Sequence, residues 1–319
     1  MLKRRHTWRL LLEYTLFRGI ACAIGVLPVR TAVRLAEVIA FFVHRILPKK
    51  LNRHHVAKEN LQAAFGNHFC ESEIDQLIYR MWVHLFRMIG EILLLPRKLK
   101  QENLPDVIRF RDNRKVVKAL CSGRPVILLS GHFGNWEMAV STFGLFGFPM
   151  GVVARDLDNS YLHDWFRRFR EHTGHRLLSK NGGGGDMVEF LENRSHLALL
   201  GDQDAGSGGL FVPFFGKEAS TFKSIALLAI QCRAVICVGY ARRLEDDFDR
   251  YRWARFELGC EEVIDVLDYE SADAIREITQ TFTSALERVI RRSPEQYFWI
   301  HRRWKSKPRQ RSRRHSNVA

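Results

Sequence analysis

The sequence lacks the short motifs that mark several common classes of enzyme. None of its 6 cysteines forms a CxxC pair, and their spacing does not fit a zinc site. It has no HExxH pair for a zinc hydrolase, no GxSxG nucleophile turn and no GxxxxGK[ST] phosphate loop. Reduced, buried thiols therefore explain the cysteines better than a disulfide framework does. We predict neither a metal site nor a bound cofactor.

The chain also has little that would cross a membrane. Its most apolar part, residues 10–47, contains no run of the roughly 18 uncharged residues that a spanning helix needs. Charges such as Arg18, Arg34 and Glu37 interrupt it, and Pro28 divides it in two. This pattern favours two helices that lie in the membrane interface, with basic side chains at the headgroups. A single spanning anchor and simple packing on the rest of the protein remain alternatives.

Acidic residues are scarce at both ends. Residues 1–60 hold 12 Lys and Arg against 3 Asp and Glu, and residues 302–319 hold 8 basic residues and no acid. The part between them has 30 basic and 32 acidic residues, although the whole chain carries +15. Basic ends suit an anionic surface such as lipid headgroups, nucleic acid or an acidic protein. Nucleic acid would need basic and aromatic residues interleaved across the body, so we predict no nucleic-acid partner.

The order of elements predicts an α/β fold with a mostly parallel central sheet flanked by helices. Apolar residues at three- and four-residue spacing predict a long helix over 71–95. Short apolar runs predict strands over 125–130, 150–154, 196–201 and 234–240, with a charged strand over 251–258. Helices are predicted between and after them, over 113–120, 135–146, 161–172, 221–232 and 272–292. Alternating strands and helices are typical of parallel sheets.

We divide the chain into three parts. Residues 1–50 are the membrane-associating helices, 51–308 the α/β domain, and 309–319 a basic tail that we expect to be disordered and to bind headgroups. Four glycines at 182–185 lack the lysine and strand of a phosphate loop. They predict a flexible loop at the start of a helix, with Asp186 near its N-terminus.

A histidine follows the first buried strand directly, in the run GHFGNWE over 131–137. Reactive groups in open α/β sheets collect beyond the carboxyl ends of strands, and the flanking glycines allow a sharp turn. We predict that Glu137 reaches back to one nitrogen of His132 and leaves the other free as a base. A base of near-neutral pKa that removes a hydroxyl proton accelerates a reaction by about 10²–10⁴-fold. The alternative is a capping histidine beside a surface glutamate.

Three motifs in this order resemble the bacterial lipid A biosynthesis acyltransferase family. They are GHFGNWE, GDQDAGSGGLFVPFFG over 201–216 and PEQYFWIHRRWKSKP over 294–308. The similarity covers nearly the whole chain and includes Asn60-Leu61, Ala64-Phe65, Arg155 and Asp158-Asn159. These late lauroyl- and myristoyl-type enzymes share the H-x4-[DE] pattern of glycerolipid acyltransferases. The resemblance implies an acyltransferase that moves a fatty acyl chain from a thioester, usually on acyl carrier protein, to a hydroxyl of a membrane lipid.

The resemblance also implies roles for individual residues. His132 would deprotonate the acceptor hydroxyl, and Glu137 would orient His132. Attack on the thioester gives a tetrahedral oxyanion, and loss of one donor to such an oxyanion costs about 10²–10³ in rate. Arg170 fits that donor best, with Arg168 nearly as suitable. A solvated basic face over 165–170 is the alternative.

Other matched residues are assigned to substrate binding. Asp202 and Asp204 follow a strand on a Gly-rich loop, where we favour a positioning role over a metal site. Arg155 belongs to the same assignment, and Arg302 and Arg303 would face lipid phosphates, which guanidinium groups bind in pairs of hydrogen bonds. The apolar segment 211–215 would line the acyl groove or dip into the membrane, with core packing as the alternative.

The resemblance and the charge pattern together predict the partners. The acyl donor is acyl carrier protein or coenzyme A, the acceptor is a lipid A precursor, and the enzyme lies on the cytoplasmic face of the bacterial inner membrane. The same chemistry on another acceptor, such as a phosphatidylinositol mannoside or an aminolipid, is the nearest alternative. A thioesterase and a non-catalytic basic binding protein are further ones.

Overall fold

A seven-stranded sheet forms the centre of the protein. The structure is a computed structural model that describes residues 2–180 and 184–308. The strands are β1 (Ile108–Arg111), β2 (Val126–Ser130), β3 (Met150–Ala154), β4 (Arg176–Ser179), β5 (His196–Leu200), β6 (Leu210–Phe214), β7 (Lys217–Thr221), β8 (Val235–Arg243) and β9 (Phe256–Asp265). The order across the sheet is β1-β9-β8-β2-β5-β3-β4, and β6 pairs with β7 in a separate hairpin. Only the β8–β9 pairing in the large sheet is antiparallel, which confirms the predicted mostly parallel sheet.

Helices cover both faces of this sheet. They are α1 (Leu2–Val26), α2 (Val29–Phe41), α3 (His54–Phe65), α4 (Glu71–Lys98), α5 (Leu104–Val107), α6 (Asn113–Leu120), α7 (Trp136–Leu145), α8 (Ser160–Glu171), α9 (Gly184–Glu192), α10 (Lys223–Gln231) and α11 (Ala274–Arg292). A π-helical turn, Phe42–Ile46, continues α2, and short 3₁₀ turns include Pro294–Gln296. The predicted tail over 309–319 lies outside the described residues.

The apolar strands dictate this layering. Because a parallel sheet is covered on both faces, its strands are apolar throughout and not alternating. On one face α6 and α7 pack against the sheet around Val116, Leu120 and Cys237. On the other face α10 and α11 pack around Ile225 and Phe282. The sheet is therefore packed on both faces, and this packing positions the residues just beyond its strand ends.

The first two helices lie on the outside of this unit. They are separated at Pro28 as predicted, because α1 ends at Val26 and α2 begins at Val29. Within the described residues, no helix combines the length and the apolar character that crossing a membrane requires. The association of these helices with a membrane, and the division of the chain into parts at residue 50, stay predictions.

Three parts of the strand pattern differ from the sequence prediction. The charged strand predicted over 251–258 is β9, which starts at Phe256, because its pairing with β8 begins where Phe256 lies opposite Arg243. Strand β4 was not predicted, since it has only four residues at the sheet edge. The hairpin β6–β7 was not predicted either, because Pro213 argues against a strand except at an edge, which is where it lies.

The apolar segment 211–215 is divided between the hairpin and the core. Phe214 and Phe215 are buried and pack with Leu61 and Trp299 in one hydrophobic cluster. These two side chains therefore fit the core-packing alternative and not an exposed membrane contact. The loop predicted at 182–185 is described only from Gly184, where α9 begins with Asp186 in its first turn.

Candidate active site

The ends of two neighbouring strands bring His132 and Asp202 together. Strands β2 and β5 are parallel, and Ser130 lies opposite Leu200 in their register. His132 comes two residues after Ser130, and Asp202 comes two residues after Leu200. Because those two strand residues are paired, the two polar residues lie side by side. The site thus forms at the carboxyl edge of the sheet, as the strand pattern predicts.

Asp202 holds His132 through two hydrogen bonds. The backbone N–H of His132 donates to Oδ2 of Asp202 over 2.8 Å, and His132 Nδ1 lies 2.8 Å from Oδ1. Asp202 is only 2% exposed. Burial by itself raises the pKa of Asp202, but the charge and hydrogen bonds of His132 outweigh burial and lower that pKa to about 2. The carboxylate is therefore ionised and can only accept hydrogen bonds.

This arrangement fixes the tautomer of His132. Since Asp202 accepts at Nδ1, that nitrogen carries the proton, and Nε2 of the neutral ring carries a lone pair. The side-chain nitrogen of Gln203 lies 3.3 Å from Nε2. Burial lowers the pKa of His132, yet the charge and hydrogen bond of Asp202 dominate and raise it above 6.5. The site therefore holds a basic imidazole nitrogen that points away from its supporting carboxylate.

Glu137 is not the partner of His132, contrary to the sequence prediction. Its carboxylate accepts two hydrogen bonds from Arg170, at 2.6 Å from NH2 and 3.2 Å from Nε. In the described residues, the recorded side-chain hydrogen bonds of His132 go to Asp202 and Gln203. The first turn of α7 directs Glu137 toward the last turn of α8, where Arg170 lies, and not back over the strand end.

The Glu137–Arg170 pair nevertheless belongs to the site. Both side chains line the same cavity as His132. Burial lowers the pKa of Arg170, but the charge and hydrogen bonds of Glu137 raise it overall, so the guanidinium stays charged. The role of Arg170 toward an oxyanion stays a prediction, and two of its nitrogens already bond to Glu137.

The other arginines that the sequence assigns to substrate binding differ in their exposure to solvent. Arg155 lines the cavity and is 75% exposed at its side chain, 3.9 Å from Asp158. Arg168 and Arg302 are exposed at the surface. Arg303 is 2% exposed and donates to the carbonyl of Ser220 at 2.5 Å, so its fixed hydrogen bonds serve the fold.

Asp204 braces the loop that carries Asp202. Its carboxylate accepts hydrogen bonds from the backbone N–H and the hydroxyl of Ser306, at 3.3 and 2.9 Å, and from the N–H of Gly206 at 3.2 Å. These bonds tie the loop after β5 to the C-terminal motif. Asp204 therefore holds the loop in place, while its predicted role in substrate binding stays a prediction.

Residues of α4 that the motifs did not identify hold the turn after His132. His84 Nε2 lies 3.1 Å from the carbonyl oxygen of Gly134, and Asn135 donates to Glu91 over 3.0 Å. Glu91 also forms a buried ion pair with Arg243. A carboxylate on the apolar stripe of a helix was the one signal in the sequence that could have revealed Glu91.

The C-terminal motif clamps the same turn from the other side. The N–H of Gly134 donates to the carbonyl of Gln296 over 2.9 Å, and the N–H of Phe298 donates to the carbonyl of His132 over 3.1 Å. Gly134 has φ +59°, and a methyl group there would lie 1.9 Å from the carbonyl oxygen of Ala241. Only glycine fits this position, which explains the turn that the sequence predicted.

A large cavity of about 1300 Å³ opens beside His132. Its polar lining includes His132, Gln203 and the Glu137–Arg170 pair, together with Arg155 and Lys180. Its apolar wall runs between the sheet and two helices and includes Val116, Val117, Leu120, Leu128, Val140, Phe143, Phe146, Phe148, Cys237 and Leu258. Such a shape suits a ligand with a reactive polar end and a long apolar part.

Away from this cavity, one cluster in the described chain has the composition of a metal site. His44 and His54 both place Nε2 near the carboxylate of Asp75, at 3.2 and 3.0 Å. The guanidinium of Arg45 lies 3.1 Å from the same carboxylate. A cation already beside Asp75 opposes a second one, and Nδ1 of His44 lacks the partner that metal-bound histidines use. The cluster therefore fits a link between α2, α3 and α4.

Comparison with known proteins gives consistent matches. A family model described as bacterial lipid A biosynthesis acyltransferase matches residues 2–306. The chain is 28% identical over 267 residues to the lipid A biosynthesis palmitoleoyltransferase of Escherichia coli, covering 80% of each chain. It is 27% identical over 238 residues to the phosphatidylinositol mannoside acyltransferase of Mycolicibacterium smegmatis, covering 72% of this chain and 73% of that one. With the lauroyltransferase of lipid A biosynthesis from E. coli it shares 26% over 187 residues, 58% of each chain.

Proposed function

The chain belongs to the bacterial lipid A biosynthesis acyltransferase family, and we propose that it transfers a fatty acyl chain from an acyl thioester to a hydroxyl of a lipid A precursor. His132 is the general base in this proposal. The observation that carries it is the Asp202-bound imidazole, which lines a cavity together with polar side chains and a large set of apolar ones. A thioester carbonyl at the polar side chains and its chain along the apolar ones would use both features.

The chemistry follows from the tautomer of His132. The acceptor hydroxyl binds at Nε2, which takes its proton as the oxygen attacks the thioester carbon. A carbon–oxygen bond forms and the carbonyl electrons move to the oxygen. When the tetrahedral oxyanion collapses, the carbon–sulfur bond breaks and the thiolate takes the proton from the imidazolium. Asp202 stabilises that imidazolium and preserves its orientation.

The acyl chain would lie between the sheet and the two helices α6 and α7. Val116 and Leu120 on α6, Val140 and Phe143 on α7, and Cys237 on β8 form the walls of that part of the cavity. Burying a methylene group gains about 0.8 kcal/mol, so a long chain supplies much of the binding free energy. The depth of this apolar slot would select the length of the chain.

The first helix supports a location at a lipid surface. Trp8, Leu12, Leu16 and Ile20 recur every four residues on α1 and are 69%, 70%, 64% and 50% exposed. The opposite side of α1 packs on α8, where Phe17 contacts Trp165. An exposed apolar stripe within the basic N-terminal part of the chain fits interfacial attachment. We place the enzyme on the cytoplasmic face of the inner membrane, where an acidic acyl carrier protein would serve as donor.

The alternative acceptor is a mannosylated phosphatidylinositol. It is favoured by one observation, the similarity to a phosphatidylinositol mannoside acyltransferase over 73% of that protein's length. Both acceptors present a sugar hydroxyl and lipid chains, so the base and the slot would act identically on them.

A transfer assay with both acceptors tests the proposal. The full chain, in detergent or vesicles, would receive radiolabelled acyl–acyl carrier protein and either a lipid A precursor or a phosphatidylinositol mannoside. We expect labelled lipid A precursor, and loss of transfer in His132→Ala. The matched control is His68→Ala, because His68 is an exposed histidine far from the motif in the chain. Full transfer by His132→Ala would contradict the mechanism, and label on the mannoside alone would contradict the acceptor.

Membrane lipids from cells that lack this chain provide the second test. Mass spectrometry should find a lipid A species that is short of one acyl chain, and the chain should restore it. Unchanged lipid A acylation would overturn the acceptor assignment.

A further inference from the structure

We propose that the side-chain amide of Gln203 donates a hydrogen bond to the oxyanion of the tetrahedral intermediate, an inference that rests on the proposed function. Gln203 stands between Asp202 and Asp204 on the loop after β5 and lines the cavity with His132. The sequence motifs predict roles for both aspartates and none for this glutamine. Its amide is nevertheless the group that approaches the base.

The amide must act as a donor at this position. Asp202 holds the proton of His132 on Nδ1, so Nε2 can only accept in the neutral ring. The Gln203 nitrogen, 3.3 Å away, therefore points an N–H toward that lone pair. The acceptor hydroxyl needs the same lone pair, at about 2.6–3.2 Å from Nε2. When the hydroxyl binds, it displaces the amide N–H, which remains next to the carbon under attack.

Three other donors close to His132 are already used within the fold, although Nε2 of the neighbouring His301 has no hydrogen-bond partner among the described residues. The N–H of His132 itself donates to Asp202, and that of Gly134 donates to Gln296. Arg170 gives both Nε and NH2 to Glu137. The Gln203 amide differs, because its recorded partner is the same nitrogen that the substrate must occupy. Binding of the acceptor hydroxyl at Nε2 therefore frees this N–H group to donate elsewhere.

The loop also keeps this amide in place before the substrate arrives. Asp202 is fixed to His132 on one side of Gln203, and Asp204 is fixed to Ser306 on the other. Donors that are oriented in advance stabilise developing charge most, because no reorganisation is needed during the reaction. As the hydroxyl oxygen bonds to the carbonyl carbon, the carbonyl electrons move to oxygen and the amide N–H binds that oxyanion. Collapse returns the electrons, and the thiolate leaves with the proton from His132.

Gln203→Met and Gln203→Glu test the proposal in the full chain with acyl–acyl carrier protein and lipid A precursor. Methionine keeps the length and removes the donor, whereas glutamate keeps the shape and offers only acceptors when ionised. We expect kcat to fall by about 10²–10³-fold in Gln203→Met, with both KM values within a few-fold of the parent. Gln203→Glu should lose at least as much. The loss should persist on the high-pH plateau, where His132 is neutral.

The pH profile separates this role from simple capping of the resting base. A donor to Nε2 favours the neutral ring, so its removal raises the pKa of His132. If capping were the only role, Gln203→Met would move the profile to higher pH and regain the parent rate on the plateau. That result would overturn the proposal. If Gln203→Met failed to fold, a parent-like plateau in Gln203→Glu would overturn it equally.

His132→Ala, assayed beside these variants, separates the two levels of inference. Activity in His132→Ala would reject the base itself and with it the proposed function. An inactive His132→Ala with a parent-like plateau in Gln203→Met would reject only the role of Gln203. In that case Arg170→Gln should show the 10²–10³-fold loss of kcat instead, with the oxyanion donor on α8.

Discussion

His132 and Asp202 are joined at two points, the backbone N–H and the imidazole Nδ1, by one buried carboxylate. A single bond would set only the direction of the ring. Two bonds also fix the backbone at the strand end, so the imidazole cannot turn without breaking the loop contact. The hydrogen-bonded pair of this site therefore joins the ends of two strands and does not lie within the H-x4-E motif.

Asp202→Asn should lower kcat by about 10²–10⁴-fold while the protein stays folded. Asparagine keeps the size of the side chain but can present its NH₂ group to Nδ1, which favours the opposite tautomer and removes the base at Nε2. Steady-state transfer to a lipid acceptor measures the loss. Asp106→Asn, an exposed position, is the control and should keep the parent rate. A parent-like rate in Asp202→Asn would mean that another group orients the base.

The pH dependence should follow the raised pKa of His132. Because the base must be neutral, kcat/KM should rise with pH and reach half of its plateau above pH 6.5. In Asp202→Asn the anion that favours the imidazolium is gone, while burial still opposes it. The half-point should therefore move to lower pH, together with a lower plateau. An unchanged half-point would show that Asp202 does not influence the pKa of the group that titrates.

The sequence predicts His132 as a base from its place after a buried strand and predicts Glu137 as its hydrogen-bond partner, whereas the ring bonds to Asp202. A spacing of five residues in the chain made Glu137 the obvious candidate, whereas Asp202 is seventy positions away. The register of β2 with β5 brings it close, and register between strands is not written in either motif alone. The strand-end position of Asp202 did indicate a role near the site.

The predicted elements were accurate where apolar periodicity was strong. The strand predicted over 150–154 matches β3, and the long helix over 71–95 matches α4 apart from one turn. Glu91 and Arg243 show what such patterns omit. Each lies on an element that packs in the interior, and only the fold shows that the two charges neutralise each other.

Glu137→Gln should leave the half-point of the pH profile unchanged. Glu137 bonds to Arg170 and, within the described chain, has no recorded hydrogen bond to His132. The substitution should lower the transfer rate only by disturbing the cavity lining, because Arg170 keeps its charge but loses the carboxylate that holds it. Comparing the pH profiles of Glu137→Gln and Asp202→Asn measures this directly. A downward shift in Glu137→Gln like that of Asp202→Asn would restore Glu137 as the partner of His132.

Glu91→Leu should destabilise the fold by about 3–5 kcal/mol, because it leaves the buried guanidinium of Arg243 without its anion. Chemical denaturation of the full chain measures the change in unfolding free energy. The matched control is Asp164→Leu, which breaks an exposed pair with Arg167 and should cost about 0–1 kcal/mol. Glu91→Leu combined with Arg243→Met should recover part of the loss. Equal costs for the two single variants would show that burial of the Glu91 pair is unimportant.

Val140→Phe should shift the preference of the enzyme toward shorter acyl chains. Val140 lies on α7 and lines the apolar slot. The phenyl ring of phenylalanine is larger than the valine side chain, so it would fill space that the distal carbons of a long acyl chain would occupy. For a thioester longer than the remaining slot, kcat/KM should fall by about tenfold or more, while the shortest accepted chains keep their rate. A series of acyl–acyl carrier protein thioesters of increasing length measures the shift. Leu227→Phe, on α10 and 43% exposed, adds a ring outside the slot and should leave the preference unchanged. An equal loss for short and long chains in Val140→Phe would place the acyl chain elsewhere in the cavity.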